Sequence, residues 1–385
     1  MSSPKIRIDA RPFGVAYRER LPLFQGGEHE GHHAGGDSDR SDSGRHGSVA
    51  DAGSPRTTPT VGRGSDGGPI LIIGDVGDLH VRRVLESLAA TNRLVVLFDR
   101  HTLAHSVTLE PGNPPRASVR TAAGTVALTD VAAVWLRERR LHVIPSLLDA
   151  RADEEFVSAE WRMVLQSLPW FTPSARWVNA MHAQVSMLSK PYQLCLATTV
   201  GFDIPMTAIT NDPAEGAGLA RRAGHSVYKT LSGHIFAPDG YIYTSIVTGD
   251  AIERAGLSVR RAPCIFQQLV PKTRELRITV VGDRLFTAVL DSRQDGSTML
   301  DWRRAPHAVR YTVGHPDHDL LEKVLAFHRA ADLTYAAYDF IITPDGRPVF
   351  LDCNPAGQWA WIEQATGLPI AAAVADELLR TVAQP

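Results

Sequence analysis

The stretch that most constrains the fold runs from Tyr338 to Ile370, Y-D-F-I-I-T-P-D-G-R-P-V-F-L-D-C-N-P-A-G-Q-W-A-W-I-E-Q-A-T-G-L-P-I. Phe340 to Ile342 is a short apolar run, Pro344-Asp345-Gly346 has turn chemistry, and Pro348 to Leu351 is a second run, so the spacing predicts a β-hairpin. Such a hairpin puts Asp339 at the start of one strand and Asp352 with Asn354 at the end of the other. Antiparallel pairing brings those positions together. Two carboxylates and one amide oxygen form a hard, oxygen-only cluster suited to Mg²⁺, which takes a few protein oxygens and completes its shell with water and substrate phosphate. A hairpin with exposed acids at its ends has the same local pattern, so the choice depends on residues elsewhere.

At 385 residues the chain is long enough for two or three units with cores of their own. Its net charge of -2 offers no electrostatic handle for nucleic acid or an acidic membrane surface. Cys195, Cys264 and Cys353 are far apart and lack C-x-x-C spacing. That fits reduced thiols and a cytoplasmic location better than a disulfide framework. The N-terminus has no apolar h-region and no run reaches the length of a membrane span, so a soluble intracellular protein is expected.

Residues 25–68 are Gly, Ser, Asp, His, Arg and Pro with almost no large apolar side chain. Such a segment cannot bury enough surface to offset the entropy of ordering and reads as disordered. Its histidines (His29, His32, His33, His46) are loosely spaced and belong to a solvated low-complexity tract rather than a metal site. Residues 1–24 differ. R-P-F-G-V-A-Y-R-E-R-L-P-L-F, Arg11 to Phe24, is too apolar for a solvated tail and too short for a domain. It has the composition of a linear motif that orders on docking.

A first folded unit, 69–150, opens with I-L-I-I-G (Ile70 to Gly74), continues with a helical pattern through Val81, Val84, Leu85 and Leu88, and returns to a strand at Leu94 to Phe98. This is a β-α-β unit with the usual right-handed crossover. Gly74 and Gly77 suggest a dinucleotide turn, but acids stand where a pyrophosphate would sit and a third glycine is missing. Ser118 to Leu128 reads as a small hairpin. Val131 to Arg140 reads as a strand running into Arg137, Arg139 and Arg140, which suit an anionic ligand or, by default, a solvated charge cluster. In the remainder, 151–385, helices are expected over about Asp153 to Leu168, ended by P-W-F-T-P, and over Met181 to Val200. Strands are expected ending at Lys229 and spanning Cys264 to Lys272, and a hairpin over Glu275 to Arg293 turns at Gly282-Asp283.

Taken together, these pieces describe a nucleotide site. Lys229 ends one strand, Gln267, Gln268 and Leu269 end another, Glu275 and Arg277 alternate along a third, and Asp339 and Asp352/Asn354 follow. Main chain around Gln268 and Leu269 can pair with an adenine edge, Glu275 can accept from ribose hydroxyls, Lys229 and Lys190 can neutralise phosphate, and the acids can hold Mg²⁺. Each signal alone is weak; five in this order are hard to produce by accident.

In this order the residues resemble the ATP-grasp superfamily. More closely, the chain is similar to the ATP-grasp ligases that install macrocyclic ester and amide links in ribosomally made peptides, the graspetide or microviridin-type maturases. The resemblance covers Pro69 to about Val382. It is most specific in K-P-Y-Q-L…G-F-D-I-P-M-T-A-I-T-N-D-P, in V-P-K-T-R-E-L-R-I-T-V-V-G-D, and in N-P-A-G-Q-W-A-W-I-E-Q-A-T-G-L-P-I. Asp352 departs from the superfamily, where Glu often fills the position; the shorter arm makes bridging of two Mg²⁺ less certain.

The resemblance implies a mixed α/β and α+β architecture, in which a pre-ATP-grasp domain precedes central and C-terminal lobes with ATP between the last two. It implies ATP and Mg²⁺ as cofactors, an acyl-phosphate intermediate, a peptide partner and a homodimer. Arg277, Arg293 and Arg303 become the cations nearest the acyl phosphate, although D-S-R-Q-D-G and D-W-R-R suit surface loops equally. R-P-F-G-V-A-Y, with Arg11, Pro12, Phe13, Gly14 and Tyr17, resembles the leader motif of the precursor peptides these maturases modify. The acids and hydroxyls that follow it make residues 1–68 a precursor-like segment fused to its ligase, a built-in activator for a separate peptide, or an extension of chance similarity. Two other readings stay open: a carboxylate–amine ligase acting on a small molecule or protein tail, against which G-Q-W-A-W argues, and a non-catalytic ATP-binding module.

Overall fold

The computed structural model describes residues 67–99, 104–137, 151–231, 235–236, 240–241, 244–291 and 309–380. The leader-like motif (Arg11, Pro12, Phe13, Gly14, Tyr17) and Arg139, Arg140, Arg293 and Arg303 lie outside the described residues.

The first sheet grows from β1 (Ile70–Ile73), helix α1 (Leu79–Leu88) and β2 (Val95–Phe98). Three short strands, β3 (Ser106–Glu110), β4 (Arg116–Thr121) and β5 (Gly124–Ala127), form an antiparallel sheet of their own. Next come β6 (Ala133–Leu136), the long helix α2 (Arg151–Phe171) and β7 (Arg176–Val178). The order β2-β1-β6-β7 is parallel throughout. Every residue of β1, β2 and β6 is buried, as a parallel sheet covered on both faces requires. One face packs on α1 and on side chains from Trp359 to Leu378; the other packs on β4 and α2. Helix α2 outlasts its expected end and runs through Pro169. Leu168 and Phe171 are buried against the sheet, and that burial holds the final turn despite the proline.

The single helix expected over Met181 to Val200 is two, α3 (Met181–Ser186) and α4 (Lys190–Thr199). Pro191 lacks the N–H that a helix interior needs, so it starts a helix instead, and the Ser189 hydroxyl caps α4 by accepting from the Tyr192 N–H. The central lobe follows: β8 (Thr207–Thr210), α5 (Pro213–Ala223), β9 (Ser226–Lys229), β10 (Ile235–Phe236), β11 (Gly240–Tyr241), β12 (Ser245–Val247), α6 (Gly249–Arg260) and β13 (Cys264–Gln268). Its antiparallel sheet, β12-β9-β13-β8, packs on α5 and α6 through Phe266, Leu219 and Ile252.

The C-terminal lobe holds β14 (Arg274–Val281), β15 (Arg284–Asp291), β16 (Arg310–Val313), α7 (His318–Ala330), β17 (Tyr335–Ile342), β18 (Pro348–Asn354), α8 (Ala360–Thr366) and α9 (Ile370–Leu379). Its sheet order is β16-β15-β14-β17-β18. Behind it, Phe202, Phe327, Phe340 and Phe350 pack ring on ring, with Phe202 and Phe350 stacked at 5.6 Å. The β17–β18 hairpin is longer than its two apolar runs, because Tyr335 to Tyr338 is also buried. Asp339 therefore lies inside β17 rather than at its start. No helix among the described residues is long and apolar enough to cross a membrane.

Candidate nucleotide and metal site

Across β17 and β18, Asp339 and Asp352 are directly opposed. The register shifts immediately afterwards, with Phe340 pairing Phe350, so Leu351 is left as a bulge beside the acids. Bulges re-aim neighbouring side chains, and here the shift ends regular pairing where the acids meet. Asn354 follows, its side-chain oxygen accepting from the Ala356 N–H at 3.0 Å. Both acids are only partly exposed and each is held by a cation. Arg277, the cross-strand partner of Asp339 on β14, reaches both carboxylate oxygens through Nη1 at 2.8 Å. Lys190, at the first turn of α4, pairs with Asp352. Burial works against the charge on Arg277, yet Asp339 holds its pKa above the ordinary value.

The remaining candidates fall into two groups. On the central sheet, Lys229 donates to Gln267 Oε1 at 2.6 Å, and Gln267 donates to Thr207 Oγ1 at 2.9 Å. Glu275 is buried on β14, two residues and therefore one same-face step from Arg277, and accepts from Lys272 at 2.6 Å. The link from β13 to β14 joins the groups. One expectation changes: the Leu269 N–H is taken by His225 O at 2.9 Å and the Gln268 N–H by Met206 O at 2.8 Å. An adenine edge needs a donor other than those two.

The donor set fits Mg²⁺. No group of three or more His, Cys, Asp or Glu among the described residues is arranged for a metal. Two carboxylates and one amide are a sparse, all-oxygen set, which suits an ion that keeps water and substrate phosphate in its shell.

No family model and no curated protein matches the chain. Solved structures do. The Chryseobacterium gregarium RiPP-associated ATP-grasp ligase, in complex with ADP and a leader and core peptide, is 25% identical with a TM-score of 0.72 over 81% of this chain and 96% of that one. Macrocyclase MdnC from Microcystis aeruginosa MRC, bound with precursor peptide MdnA, is 26% identical with a TM-score of 0.71 over 81% and 99%. Macrocyclase MdnB from the same organism is 26% identical, with a TM-score of 0.67 over the same shares. The chain is an ATP-grasp ligase.

The ligase supports its acids with residues that, Arg137 and Arg277 apart, the sequence did not flag. Gln193 on α4 is buried; its amide donates to Met187 O and Cys353 O at 2.6 and 2.8 Å and accepts from the Cys353 N–H at 3.0 Å. It fixes the backbone between Asp352 and Asn354. The loop after the acids, Pro355 to Trp359, is gripped from several sides. Asn179 donates to Pro355 O at 2.9 Å, Tyr335 to Gly357 O at 2.6 Å, and Arg277 to Gln358 O at 3.1 Å. Arg137 donates to Ala356 O at 2.8 Å. It is not a solvated charge: it is buried and pairs with Asp78 at 3.0 Å. Burial works to raise the Asp78 pKa, but the hydrogen bond from His80 and the charge of Arg137 bring it down to about 2. Nothing local marks these partnerships, since Gln193, Asn179 and Arg137 are each more than 150 positions from the carbonyls of Cys353, Pro355 and Ala356 that they hold.

Proposed function

We propose that this ligase uses ATP to join a side-chain carboxylate of a ribosomally made peptide to a hydroxyl or amine of the same peptide, closing an ester or amide ring. The observation that carries the reading is the juxtaposition of Asp339 and Asp352 with Arg277 and Lys190, in a fold shared with ligases solved with ADP and with peptide. The substrate carboxylate attacks the γ-phosphorus and ADP leaves. The hydroxyl or amine then attacks the acyl carbon, gives up its proton, and inorganic phosphate leaves. Little covalent work falls to the protein, which must position reactants and balance charge. Lys190 and Lys229 neutralise phosphate, Glu275 accepts from ribose, and Arg277 balances the charge of the acyl phosphate, a role also assigned to Arg293 and Arg303. Asp339, Asp352 and Asn354 would hold Mg²⁺, which when bound neutralises phosphate charge.

The same reading makes residues 1–24 a docking leader and residues 25–68 the segment it feeds to the site, in a cytoplasmic homodimer. Mass spectrometry of the full chain after incubation with Mg²⁺ and ATP tests it, with Asp339→Ala/Asp352→Ala as control. Loss of the elements of water mapping to residues 25–68, absent in the control, is the expected result. No mass change, with ATP hydrolysed only when a separate peptide carrying this leader is added, moves the substrate to that peptide. Nucleotide binding without turnover under either condition overturns the reading.

A further inference from the structure

We propose that Gln193 is a positioning residue of the metal site: its amide sets the register of β18 and so aims Asp352 and Asn354 at Mg²⁺, without itself touching metal or nucleotide. The proposal rests on the reading of those two residues as metal ligands. Gln193 lies in α4 and is 1% exposed. Its Nε2 donates to Met187 O at 2.6 Å and to Cys353 O at 2.8 Å, and its Oε1 accepts from the Cys353 N–H at 3.0 Å. Both amide protons are thereby used, so the group keeps no donor for a ligand.

Strand β18 is the edge of its sheet. An edge leaves N–H and C=O groups with no neighbouring strand to pair them. Cys353 gives both of its groups to the Gln193 amide, which meets them as one residue of a further strand would. On the other side of the bulge at Leu351, Asp203 O takes the Phe350 N–H at 2.8 Å. The irregular piece of chain that carries Asp352 is therefore pinned at both ends.

Register decides which side chain reaches the site, because a slip of one residue turns every side chain to the opposite face. In the register that Gln193 holds, Cys353 is buried in the core with Phe340 and Phe350, while Asp352 opposes Asp339, the partner of Arg277. Asn354, the next residue but one, shares the face of Asp352. A slip beyond the bulge would present a thiol where Mg²⁺ takes oxygen. The same helix ties this register to the phosphate side. Lys190 and Gln193 share one face of α4 and reach adjacent residues of β18, Asp352 and Cys353. The task needs an amide, since a carboxylate has no donor and an ammonium no acceptor.

The test reads binding rather than turnover. Calorimetric titration of the full chain with ADP, in Mg²⁺ and in EDTA, gives the factor by which metal strengthens ADP binding. Gln193→Met keeps the reach of the side chain and removes its hydrogen bonds. It is expected to lower that factor by about tenfold or more, as loss of an outer partner of a metal ligand does. Mn²⁺ binding in the presence of ADP, read by electron paramagnetic resonance, should weaken to match. A purely structural role would weaken ADP binding equally in Mg²⁺ and in EDTA, and that result overturns the proposal. The fall is expected to shrink when Asp352 is already Asn, because Gln193 then aims a weakened ligand; an equal fall in both backgrounds also overturns it. Should Gln193→Met fail to fold, Gln193→Glu keeps an acceptor for the Cys353 N–H and loses the donors; it too is expected to lower the factor, and an unaltered factor overturns the proposal. If the unmodified chain binds ADP equally with and without Mg²⁺, the assignment of the acids to metal falls and this proposal with it. A Mg²⁺ effect that Gln193→Met leaves intact sinks this proposal alone.

Discussion

His80 accepts hydrogen bonds from the main-chain N–H groups of both Trp359 and Ala360, at 2.9 and 3.1 Å, and so fastens the first β-α turn to the loop that follows the β17–β18 hairpin. An imidazole nitrogen that accepts carries no proton. The proton therefore sits on Nδ1, which donates to Asp78 at 2.6 Å, and Asp78 in turn meets the buried Arg137. The first β-α turn thus braces the loop beside the candidate site.

Removing that acceptor strands two buried donors. His80→Ala is expected to lower stability by about 2–4 kcal/mol, from roughly 1–3 kcal/mol for each unpaired group less partial hydration. Asp78→Asn tests the other half of the chain. The folded carboxyl titrates at about 2, below its ordinary 3.8. Its contribution of about 2 kcal/mol is present above pH 4 and is lost as pH falls through 2. Urea unfolding of the variant against pH should therefore lose that part of the acid slope; an unchanged slope would contradict the assignment.

How much of this was legible beforehand depended on how local each signal was. The hairpin could be read because Pro344-Asp345-Gly346 fixes the turn and the flanking runs fix the strands. Asp339 and Asp352 were read from the two strands of that hairpin, Arg277 from its alternation with Glu275 and Lys190 from a helical run, and the structure does bring these four together. The bulge at Leu351 was not legible, since it is a matter of register rather than composition. Pro169 misled, because its cost is local while the burial of Phe171 that offsets it comes from a distant sheet. His80, Gln193 and Asn179 act across 150 residues or more, and no spacing rule covers such contacts.

Gly357 lies where a side chain has no room. A Cβ there would stand 2.4 Å from the Ala337 Cβ and 2.9 Å from Arg277 Nη2. Gly357→Ala is expected to push the loop off Arg277, lowering stability by about 1–3 kcal/mol and weakening ADP affinity. Adding Ala337→Gly opens the closer contact, so the double variant should recover part of both losses in denaturation and calorimetric titration. If the double variant is merely the sum of two damaging changes, the steric account fails.

His328 is buried behind the acids and meets the Tyr338 hydroxyl at 2.8 Å. Burial lowers its pKa to about 4. Between pH 6.5 and 4 the unfolded chain takes a proton that the native chain refuses. Stability should therefore be full above 6.5 and decline by on the order of 3 kcal/mol as pH falls to 4. His328→Gln keeps a hydrogen-bonding side chain and removes the titration. Its stability curve should be flatter than that of the unmodified protein over that interval, and parallel curves would show that another group carries the acid sensitivity.

The two acids should fail differently. Asp352 pairs with Lys190 where both side chains are about 30% exposed, so water can take over for either partner. Asp352→Asn is then expected to cost under about 1 kcal/mol of stability, while lowering Mg²⁺-dependent turnover by at least ~100-fold, as loss of a charge-stabilising group does. Asp339 faces Arg277, which is buried and has no water to turn to. Asp339→Ala leaves that guanidinium without its carboxylate and should cost about 3–5 kcal/mol in addition to activity. Adding Arg277→Met to Asp339→Ala should restore stability and not turnover. Denaturation midpoints together with ADP titrations in the presence and absence of Mg²⁺ separate the two effects. Equal stability losses for Asp352→Asn and Asp339→Ala would mean that the site does not divide into a solvated pair and a buried one.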